Sequence, residues 1–266
     1  MGVLNITPDS FSDGGALLAP EAALAHAQTL CEEGADIVDV GGESTRPGAL
    51  AVSAQEEMDR VVPIIEALAA RLDVVVSVDT SKPQVMREAV RAGAGLINDV
   101  YALRQADALS AAAALQVPVC LMHMQGEPGT MQRNPVYTDV VREVDEFLAA
   151  RVRACQQAGI GADRLLIDPG FGFGKLLAHN IALLKGLRNL MRHHLPILVG
   201  LSRKGMIGQI TGAAMNERAY GSAAAALLAV QQGASIVRVH DVRATRQVLA
   251  VLAAVSEEQS GEQHFG

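Results

Sequence analysis

The chain is poor in aromatic residues and in cysteine. Of its 266 residues only 3% are aromatic, while 50% are hydrophobic, so the core of a large domain must be aliphatic. The three cysteines, Cys31, Cys120 and Cys155, are odd in number, widely separated and without metal-ligand spacing. Each lies in an apolar context, so we expect buried thiols in a reducing compartment.

Positive charge and long apolar runs are also scarce. The 22 basic residues are outnumbered by 29 acidic ones, which argues against a general binder of nucleic acid or anionic membranes. A locally positive site for a small anionic substrate stays compatible with this balance. The longest apolar run, residues 223–230, is too short to span a bilayer, and the start of the chain lacks the pattern of a signal peptide. We therefore expect a soluble cytoplasmic protein.

The glycine-rich run at residues 168–175 lacks the spacing of a nucleotide-binding loop. A P-loop requires glycine, four residues and then Gly-Lys-Ser/Thr, but Pro169 occupies the first position and Leu176 the last. The dinucleotide fingerprint fails as well, because Phe173 and Gly174 directly follow the Gly-Phe-Gly triplet. The run is therefore interpreted as a strand end that carries an acid, Asp168.

Apolar strand patterns alternate with helical patterns along the whole chain. The predicted strands cover residues 1–6, 36–40, 74–78, 95–97, 117–122, 165–167, 197–201 and 235–239. The predicted helices cover residues 20–33, 53–72, 81–93, 106–115, 138–158, 180–194, 216–232 and 242–255, with Ser53, Ser81 and Asn180 as N-caps. Eight such units predict a single (β/α)₈ barrel over residues 1–255 and a polar tail at 256–266. An open doubly wound sheet is the alternative.

A barrel of this kind carries its active site at the carboxyl ends of the strands. All eight predicted strands end in polar groups, namely Asn5, Asp39, Asp79, Asn98 with Asp99, His123, Asp168, Ser202 to Lys204, and Arg238 to Asp241. Any one of them alone is more simply a helix cap, a turn former or a buried core residue. Eight together are costly to bury unless a ligand or a polar network satisfies them, so we expect them to converge on one site.

These groups fall into two chemical sets. The first combines carboxylates, an amide and a lysine suited to the edge of a flat heterocycle: Asp79, Asn98, Asp168 and Lys204. The second offers cations and small donors suited to phosphate oxygens: Asn5, Thr45, Arg46, Arg238 and His240. The alternatives are a buried polar network for the first set and surface ion pairs for the second. Together the sets predict a heterocyclic ligand that bears phosphate or diphosphate.

Two polar, glycine-rich loops follow the first two strands, at residues 7–15 and 41–48. Their composition disfavours packing, so we interpret them as mobile loops over the site, with ordinary surface loops as the alternative. The residues proposed to move are Thr7, Asp9, Ser10, Gly42 and Ser44.

Eight motifs in this order resemble those of bacterial dihydropteroate synthases, a family of pterin-binding TIM barrels. They lie at residues 5–15, 39–48, 78–82, 97–99, 121–124, 168–175, 202–204 and 238–241. The most specific are Gly-Gly-Glu-Ser-Thr-Arg-Pro-Gly and Asp-Pro-Gly-Phe-Gly-Phe-Gly-Lys. The resemblance implies that 6-hydroxymethyl-7,8-dihydropterin diphosphate condenses with 4-aminobenzoate to give 7,8-dihydropteroate. It further implies early loss of pyrophosphate, followed by attack of the aniline nitrogen.

The resemblance also implies residue roles. The residues expected to hold the pterin are Asp79, Asn98, Met122, Asp168 and Lys204. Those expected to contact the diphosphate are Thr45, Arg46, Arg238 and His240, and Asn5 is the expected Mg²⁺ ligand. Those expected to form the aminobenzoate pocket are Thr45, Pro47, Phe173, Ser202 and Lys204.

Further expectations come from the family as a whole. The usual N-terminal hairpin before the first strand is expected to be missing, since the chain begins inside that strand. A homodimer is expected, with the alanine-rich segment at 221–230 contributing to its interface, and sulfonamides are expected to compete with 4-aminobenzoate. Two other functions stay open: a pterin-dependent methyltransferase barrel, and a non-catalytic barrel that binds a phosphorylated ligand.

Overall fold

Parallel strands form the wall of a barrel. The structure, a computed structural model, describes residues 1–6, 19–44 and 51–261. The strands within these ranges are β1 (Gly2–Asn5), β2 (Ile37–Gly41), β3 (Val75–Asp79), β4 (Leu96–Asp99), β5 (Val119–Met122), β6 (Leu165–Asp168), β7 (Leu198–Val199) and β8 (Ile236–Val237). Strands β1 to β6 pair in chain order, and β7 pairs with β8. Parallel bridges from Ile167 to Ile197 and from Gly2 to Val239 close the ring. The predicted (β/α)₈ barrel is therefore confirmed, and the open sheet is wrong.

Helices surround the strands. They are α1 (Ala19–Glu32), α2 (Ala54–Arg71), α3 (Pro83–Arg91), α4 (Ala108–Leu115), α5 (Val140–Gln157), α6 (Leu177–Lys185), α7 (Gly205–Thr211), α8 (Ala219–Gln231) and α9 (Val242–Gly261). The short helix α7 was not predicted. The segment expected to be a polar tail from Ser256 is helical as far as Gly261, because Glu and Gln favour a helix although they are polar.

Three predicted helix starts differ in outcome. Ser53 caps α2 as predicted, because its Oγ accepts a hydrogen bond from the Glu56 backbone N–H at 3.1 Å. Ser81 does not cap α3, which begins at Pro83; proline at the first position needs no side-chain cap for its own nitrogen. Asn180 lies inside α6 rather than at its start, and is buried there.

The strands change from apolar to polar along the barrel axis. Side chains of a strand alternate between the barrel interior and the surrounding helices. The floor of the interior is a small apolar cluster of Met1, Leu96, Cys120, Leu166 and Leu198. Two residues further along β4, β5 and β6, on the same face, stand Asn98, Met122 and Asp168. The polar end of the interior is thus the carboxyl end of the strands.

The opposite faces of the strands pack against the helices. This aliphatic core includes Val40, Val78, Ile97, Leu121 and Ile167, all buried. Each such side chain stabilises the fold by about 1.5–3 kcal/mol. The core therefore holds the strand ends in place without help from aromatic residues, as the composition indicated.

The three cysteines are free thiols. Cys31, Cys120 and Cys155 form no disulfides; the last two are buried and Cys31 is half-buried. Burial raises the pKa of Cys155 to about 11, so this thiol stays protonated near neutral pH. Within the described ranges, every helix is too short or too polar to span a membrane.

Candidate active site

The carboxyl ends of β2 to β6 bring the first predicted set together. In the parallel register Gly41 pairs with Asp79, and Asp79 with Asn98. Met122 pairs with Asp168 in the same way. Partners in register share a face of the sheet, so these side chains line one end of the barrel interior. Asn98 and Asp168 are buried, and the side chain of Asp79 is 12% exposed.

Arg238 connects three strands across this opening. Its Nε donates to Asp39 Oδ2 at 2.6 Å, and its Nη2 donates to Asp79 Oδ2 at 2.9 Å. Asp39 Oδ2 also accepts from Asn98 Nδ2 at 3.1 Å. Burial raises the pKa of Asp79 to about 7, although the Arg238 charge opposes the rise. The Arg238 guanidinium, which the resemblance assigned to the diphosphate, thus binds Asp79 of the heterocycle set and Asp39.

Asp39 is a site residue that sequence reasoning left without a role. It is fully buried and faces inward, two residues before Gly41. A carboxylate in the middle of a predicted buried strand was the available signal, because buried acids require partners. Those partners, Asn98 and Arg238, are 59 and 199 residues away in the chain. Such distant partners are not visible from local sequence.

Lys204 and Asp168 lie together on the other side of the opening. Lys204 is half-buried; its Nζ donates to the carbonyl oxygen of Phe171 and lies 4.7 Å from the centroid of the Phe173 ring. Burial lowers the pKa of Lys204 to about 8, and the Asp168 charge opposes this. Burial raises the pKa of Asp168, whose Oδ1 accepts from the Gly170 N–H at 2.7 Å. The opening therefore holds one acid, Asp79, and one base, Lys204, whose pKa values lie near neutrality, as functional sites often do.

The glycine run shapes the wall beside Lys204. Gly170, Gly172 and Gly174 all have left-handed backbone angles, with φ of 67°, 79° and 60°. A Cβ on Gly170 would lie 1.9 Å from the His123 carbonyl oxygen, and one on Gly174 would lie 2.3 Å from that of Gln125. Only glycine fits both the angles and the space. The run thereby packs onto the end of β5 and presents Phe173 to Lys204.

Lys175 and His123 lie behind this wall, outside the opening. Lys175 Nζ donates to the carbonyl oxygens of Gly170 and Phe173 at 2.9 and 3.1 Å, and contacts His123 Nδ1 at 2.9 Å. The His123 ring packs edge-on against Phe147 of α5, with 4.9 Å between centroids. Burial, reinforced by the Lys175 charge, lowers the pKa of His123 to about 2, so the ring is neutral. The expectation that all eight strand ends converge was wrong for His123, because it follows Met122 and so faces the opposite way.

Asn180 supports the same run from α6. Its Oδ1 accepts from the Gly172 N–H at 2.8 Å, and its Nδ2 donates to the Lys175 carbonyl oxygen at 3.2 Å. Its side chain thus holds the glycine run instead of capping the helix.

Asp99, next to Asn98, is also outside the site. Its Oδ1 accepts from the Tyr101 N–H at 2.8 Å and its Oδ2 from the Leu103 N–H at 2.7 Å. These bonds support a turn in which Ala102 and Leu103 have positive φ. Asp99 is therefore a turn former, the simpler reading of a strand-end acid.

Ser202 and His240 join the loops after β7 and β8. Ser202 Oγ accepts from the His240 backbone N–H at 3.1 Å and lies 3.0 Å from His240 Nδ1. The following residues are joined as well, since Arg203 donates to both oxygens of Asp241, at 3.0 and 2.6 Å. Arg203 thus binds both carboxylate oxygens of Asp241. Ser202, predicted for the aminobenzoate pocket, and His240, predicted for the diphosphate, are therefore neighbours.

The start of the second polar loop is anchored. The Gly42 carbonyl oxygen accepts from Arg60 Nη1 at 2.7 Å, and Glu43 accepts from Lys82 at 2.6 Å. A Cβ on Gly42 would lie 2.7 Å from a Val61 methyl group. Mobility of Gly42 and Ser44 stays a prediction. The other predicted loop and pocket residues lie outside the described residues: Thr7, Asp9, Ser10, Thr45, Arg46 and Pro47.

Asn5 is placed suitably for the predicted Mg²⁺. It ends β1 in register with Gly41. Its Oδ1 and Asp79 Oδ2 lie 3.6 and 3.8 Å from the point where a Cβ on Gly41 would stand, so both oxygens border the space beside this glycine. In the described part of the chain, no three His, Cys, Asp or Glu residues form a metal cluster. Mg²⁺ typically takes one or two protein oxygens together with water and substrate phosphates, so this oxygen pair fits it.

A groove of about 630 Å³ lies elsewhere, between α2 and α3. Three of its four charged side chains are engaged with neighbours on their own helices, since Asp59 accepts from Gln55 at 2.7 Å and Arg91 donates to Glu88 at 2.6 Å. It contains none of the strand-end groups. We therefore place the candidate active site at the strand ends.

Known proteins resemble this chain over nearly its whole length. Residues 1–240 match the model of the family described as pterin binding enzyme. The chain is 51% identical over 264 residues to the dihydropteroate synthase of Escherichia coli strain K12, covering 99% of this chain and 94% of the relative.

Solved structures are equally similar. The dihydropteroate synthase of Yersinia pestis with a sulfonamide drug superimposes with a TM-score of 0.92 at 52% identity, covering 97% of this chain and 94% of that one. The Xanthomonas albilineans synthase with 4-aminobenzoic acid gives a TM-score of 0.91 at 57% identity, covering 96% and 92%. The chain belongs to the pterin-binding enzyme family. Its enzyme class within that family is dihydropteroate synthase.

Proposed function

We propose that this chain condenses 6-hydroxymethyl-7,8-dihydropterin diphosphate with 4-aminobenzoate, releasing pyrophosphate and forming 7,8-dihydropteroate for folate biosynthesis. The observation that carries the proposal is the ring of Asp79, Asn98, Asp168, Lys204 and Arg238 at one end of the barrel, in a chain of this family. This ring offers both acceptors and donors to a flat heterocycle, with cations close enough to attract a diphosphate.

The pterin would lie between Asp79 and Asn98 on one side and Asp168 and Lys204 on the other. Its ring N–H and amino groups can donate to the carboxylates, and its oxo group can accept from Lys204. Hydrogen bonds to charged groups contribute about 1.5–3 kcal/mol each. The low exposure of Asn98 and Asp168 means that water competes little for these bonds.

The reaction begins with loss of pyrophosphate. The methylene C–O bond breaks and its electron pair leaves with pyrophosphate, so positive charge develops on the pterin. Asp79 and Asp168 are placed to stabilise that charge. The lone pair of the aniline nitrogen then forms the C–N bond, and the nitrogen loses a proton. Mg²⁺ held by Asn5 would neutralise charge on the departing pyrophosphate.

The second substrate would lie on the Phe173 side. Phe173 is half-buried beside Lys204, and Ser202 begins the loop after the neighbouring strand β7. Lys204 can attract the carboxylate of 4-aminobenzoate while the Phe173 ring packs against its benzene ring.

A turnover assay tests the function directly. The protein is incubated with the pterin diphosphate, Mg²⁺ and 4-aminobenzoate, and pyrophosphate release is followed together with dihydropteroate formation. We expect both products in equal amounts. Pterin diphosphate binding without pyrophosphate release would instead support a binding barrel, and methyl transfer from a folate would support a methyltransferase.

We also propose that sulfonamides compete with 4-aminobenzoate. The support is the solved Yersinia pestis relative with a sulfonamide drug. A competition experiment should raise the KM for 4-aminobenzoate and leave kcat unchanged. Inhibition that 4-aminobenzoate does not relieve would contradict this.

We further propose a homodimer through α7, α8 and α9. Exposed apolar side chains lie along these helices and the segment between the first two, namely Ile210, Met215, Tyr220, Leu228, Val251 and Val255. Tyr220, beside the predicted interface region, is 89% exposed. Exposed apolar patches on one face often mark an interface. Light scattering should give twice the chain mass, and Tyr220→Asp should shift the protein toward monomer; a monomeric wild type would refute the proposal.

A cytoplasmic location is proposed as well. The three unpaired cysteines support it, because reducing compartments keep thiols free. Fractionation of cells expressing the natural protein is the corresponding measurement.

A further inference from the structure

We propose that Asp39 is a positioning residue that sets the orientation of the Asn98 side-chain amide and so decides that this part of the site accepts, rather than donates, a hydrogen bond. The inference rests on the proposed function, because it concerns how the pterin is selected. It adds a residue outside the predicted site set.

The polarity of the contact follows from the shared oxygen. Asp39 Oδ2 accepts from Arg238 Nε at 2.6 Å, so this atom acts as an acceptor. Asn98 approaches the same oxygen at 3.1 Å and must therefore present its Nδ2 donor to it. The Asn98 carbonyl oxygen then points away from Asp39. A ligand group that meets this oxygen must be an N–H or amino donor.

Asp39 is poorly suited to a purely stabilising role. It is fully buried, and its Oδ1 has no hydrogen-bond partner in the described residues. Asp99, at the end of the same strand as Asn98, has both oxygens bonded to backbone N–H groups. A buried acid with an unsatisfied oxygen costs stability. Its retention is understood if it orients side chains that touch the substrate.

Two substitutions separate the acceptor from the charge. Asp39→Leu removes the shared acceptor oxygen, so nothing then holds Asn98 Nδ2 and the side-chain amide can rotate. We expect the affinity for the pterin diphosphate to fall by about tenfold or more, because a donor can then face a donor. Asp39→Asn can place its amide oxygen at the shared position, where it still accepts from both Arg238 and Asn98, so it should restore pterin affinity to within about threefold of wild type. The KM for 4-aminobenzoate should change by less than about threefold in Asp39→Leu, since Asp39 contacts none of its proposed residues.

A double-mutant cycle tests whether Asp39 acts through Asn98. If it does, the Asp39→Leu, Asn98→Ala double variant should bind the pterin about as weakly as Asn98→Ala alone. Effects that multiply would show that Asp39 acts independently of Asn98 and would overturn the proposal. A loss of pterin affinity of about tenfold in Asp39→Asn would show that Asp39 acts through its charge and would overturn it as well.

Asp99→Asn is the matched control. It removes a buried acid that ends β4 and faces the helices, so it should lower thermal stability but leave pterin affinity within about twofold. Unchanged pterin affinity in a folded, active Asp39→Leu variant would overturn the inference while leaving the proposed function intact. Absence of turnover in the wild type would instead refute the proposed function.

Discussion

Asp79 and Asp99 end adjacent strands of the barrel, but they differ in where their partners come from. Asp99 accepts from the N–H groups of Tyr101 and Leu103, two and four residues further along the chain. Asp79 accepts from Arg238, which is 159 residues away. Asp99 faces the helices and supports a turn, whereas Asp79 faces the barrel interior. The same side chain thus serves local structure in one place and a candidate active site in the other.

The two buried or half-buried lysines near the glycine run repeat this contrast. Lys175 bonds carbonyl oxygens two and five residues away, together with His123, and lies behind the wall of the site. Lys204 reaches the Phe171 carbonyl oxygen, 33 residues away, and faces the opening. Among these two acids and two lysines, the side chains whose hydrogen bonds to the backbone are local shape a loop, and the side chains with distant partners line the site.

The strongest test of this contrast is Asp79→Asn. We expect kcat/KM to fall by about 100-fold or more, because the variant loses hydrogen bonds to a charged group and charge stabilisation of the developing cation. Its melting temperature should be unchanged or higher, since a carboxylate that is costly to bury has been removed. A variant that retains wild-type kcat/KM would remove Asp79 from the site.

Lys204→Ala should have the next largest effect. Loss of its hydrogen bond should weaken pterin binding by about 1.5–3 kcal/mol, measured by titration calorimetry. Lys175→Met is the matched variant, because it leaves carbonyl oxygens behind the wall without their donor. It should lower the free energy of unfolding by about 1–3 kcal/mol and have the smaller effect on pterin affinity. The reverse outcome would exchange the roles of the two lysines.

Asp99→Asn should affect stability alone. Replacing one acceptor oxygen by an amide nitrogen leaves a backbone N–H unsatisfied, so we expect a loss of about 1–3 kcal/mol in the free energy of unfolding, measured by urea denaturation. The kcat/KM of the folded variant should equal that of the wild type. A fall of about tenfold in kcat/KM, equivalent to about 1.4 kcal/mol, would place Asp99 in the site.

The pH dependence of stability sharpens the same point. Burial raises the pKa of Asp99 to about 6, above the value of about 3.9 expected when unfolded. The folded state therefore binds the proton more tightly, and the contribution of Asp99 to stability falls as pH rises from about 4 to about 6. In denaturation curves recorded at a series of pH values, the free energy of unfolding of Asp99→Asn should decline less between about pH 4 and 6 than that of the wild type. An identical pH profile would contradict the raised pKa.

The smallest effect is expected in the pH profile of kcat/KM. Activity should rise with pH as Asp79 ionises near pH 7, by at most about tenfold per pH unit, and fall as Lys204 loses its proton above about pH 8. Lys204→Arg should remove the upper limb, because a guanidinium stays protonated in this range. If kcat/KM of that variant still falls above about pH 8, the fall must be caused by the titration of another group.

Much of this arrangement was predictable from local patterns. The alternation of apolar strands with helices predicted the barrel, because each pattern depends on neighbouring residues. The spacing at residues 168–175 also predicted a strand end rather than a P-loop. In the structure the glycines of this run turn the chain beside the heterocycle set. The unpredicted helix α7 spans only seven residues, from Gly205 to Thr211, which is too short for a clear period.

The predictions were wrong where the alternation of side chains along a strand, or a partner distant in sequence, decided what a residue contacts. His123 follows Met122 and so faces the helices, although both lie at the same strand end. Asparagine is favoured at N-caps, but Asn180 Oδ1 accepts from the Gly172 N–H instead. Asp39 was visible as an acid in a strand, yet its partners come from β4 and from the segment after β8.

The sequence by itself determined the barrel and its polar strand ends and predicted the chemical character of the ligand, because these follow from local periodicity and residue type. Only the tertiary structure decided which polar groups face inward and how they pair. Register and ring closure bring Asp39, Asp79, Asn98 and Arg238 together from three strands and the segment after β8. Those contacts depend on the closing of the whole chain, which no local pattern specifies.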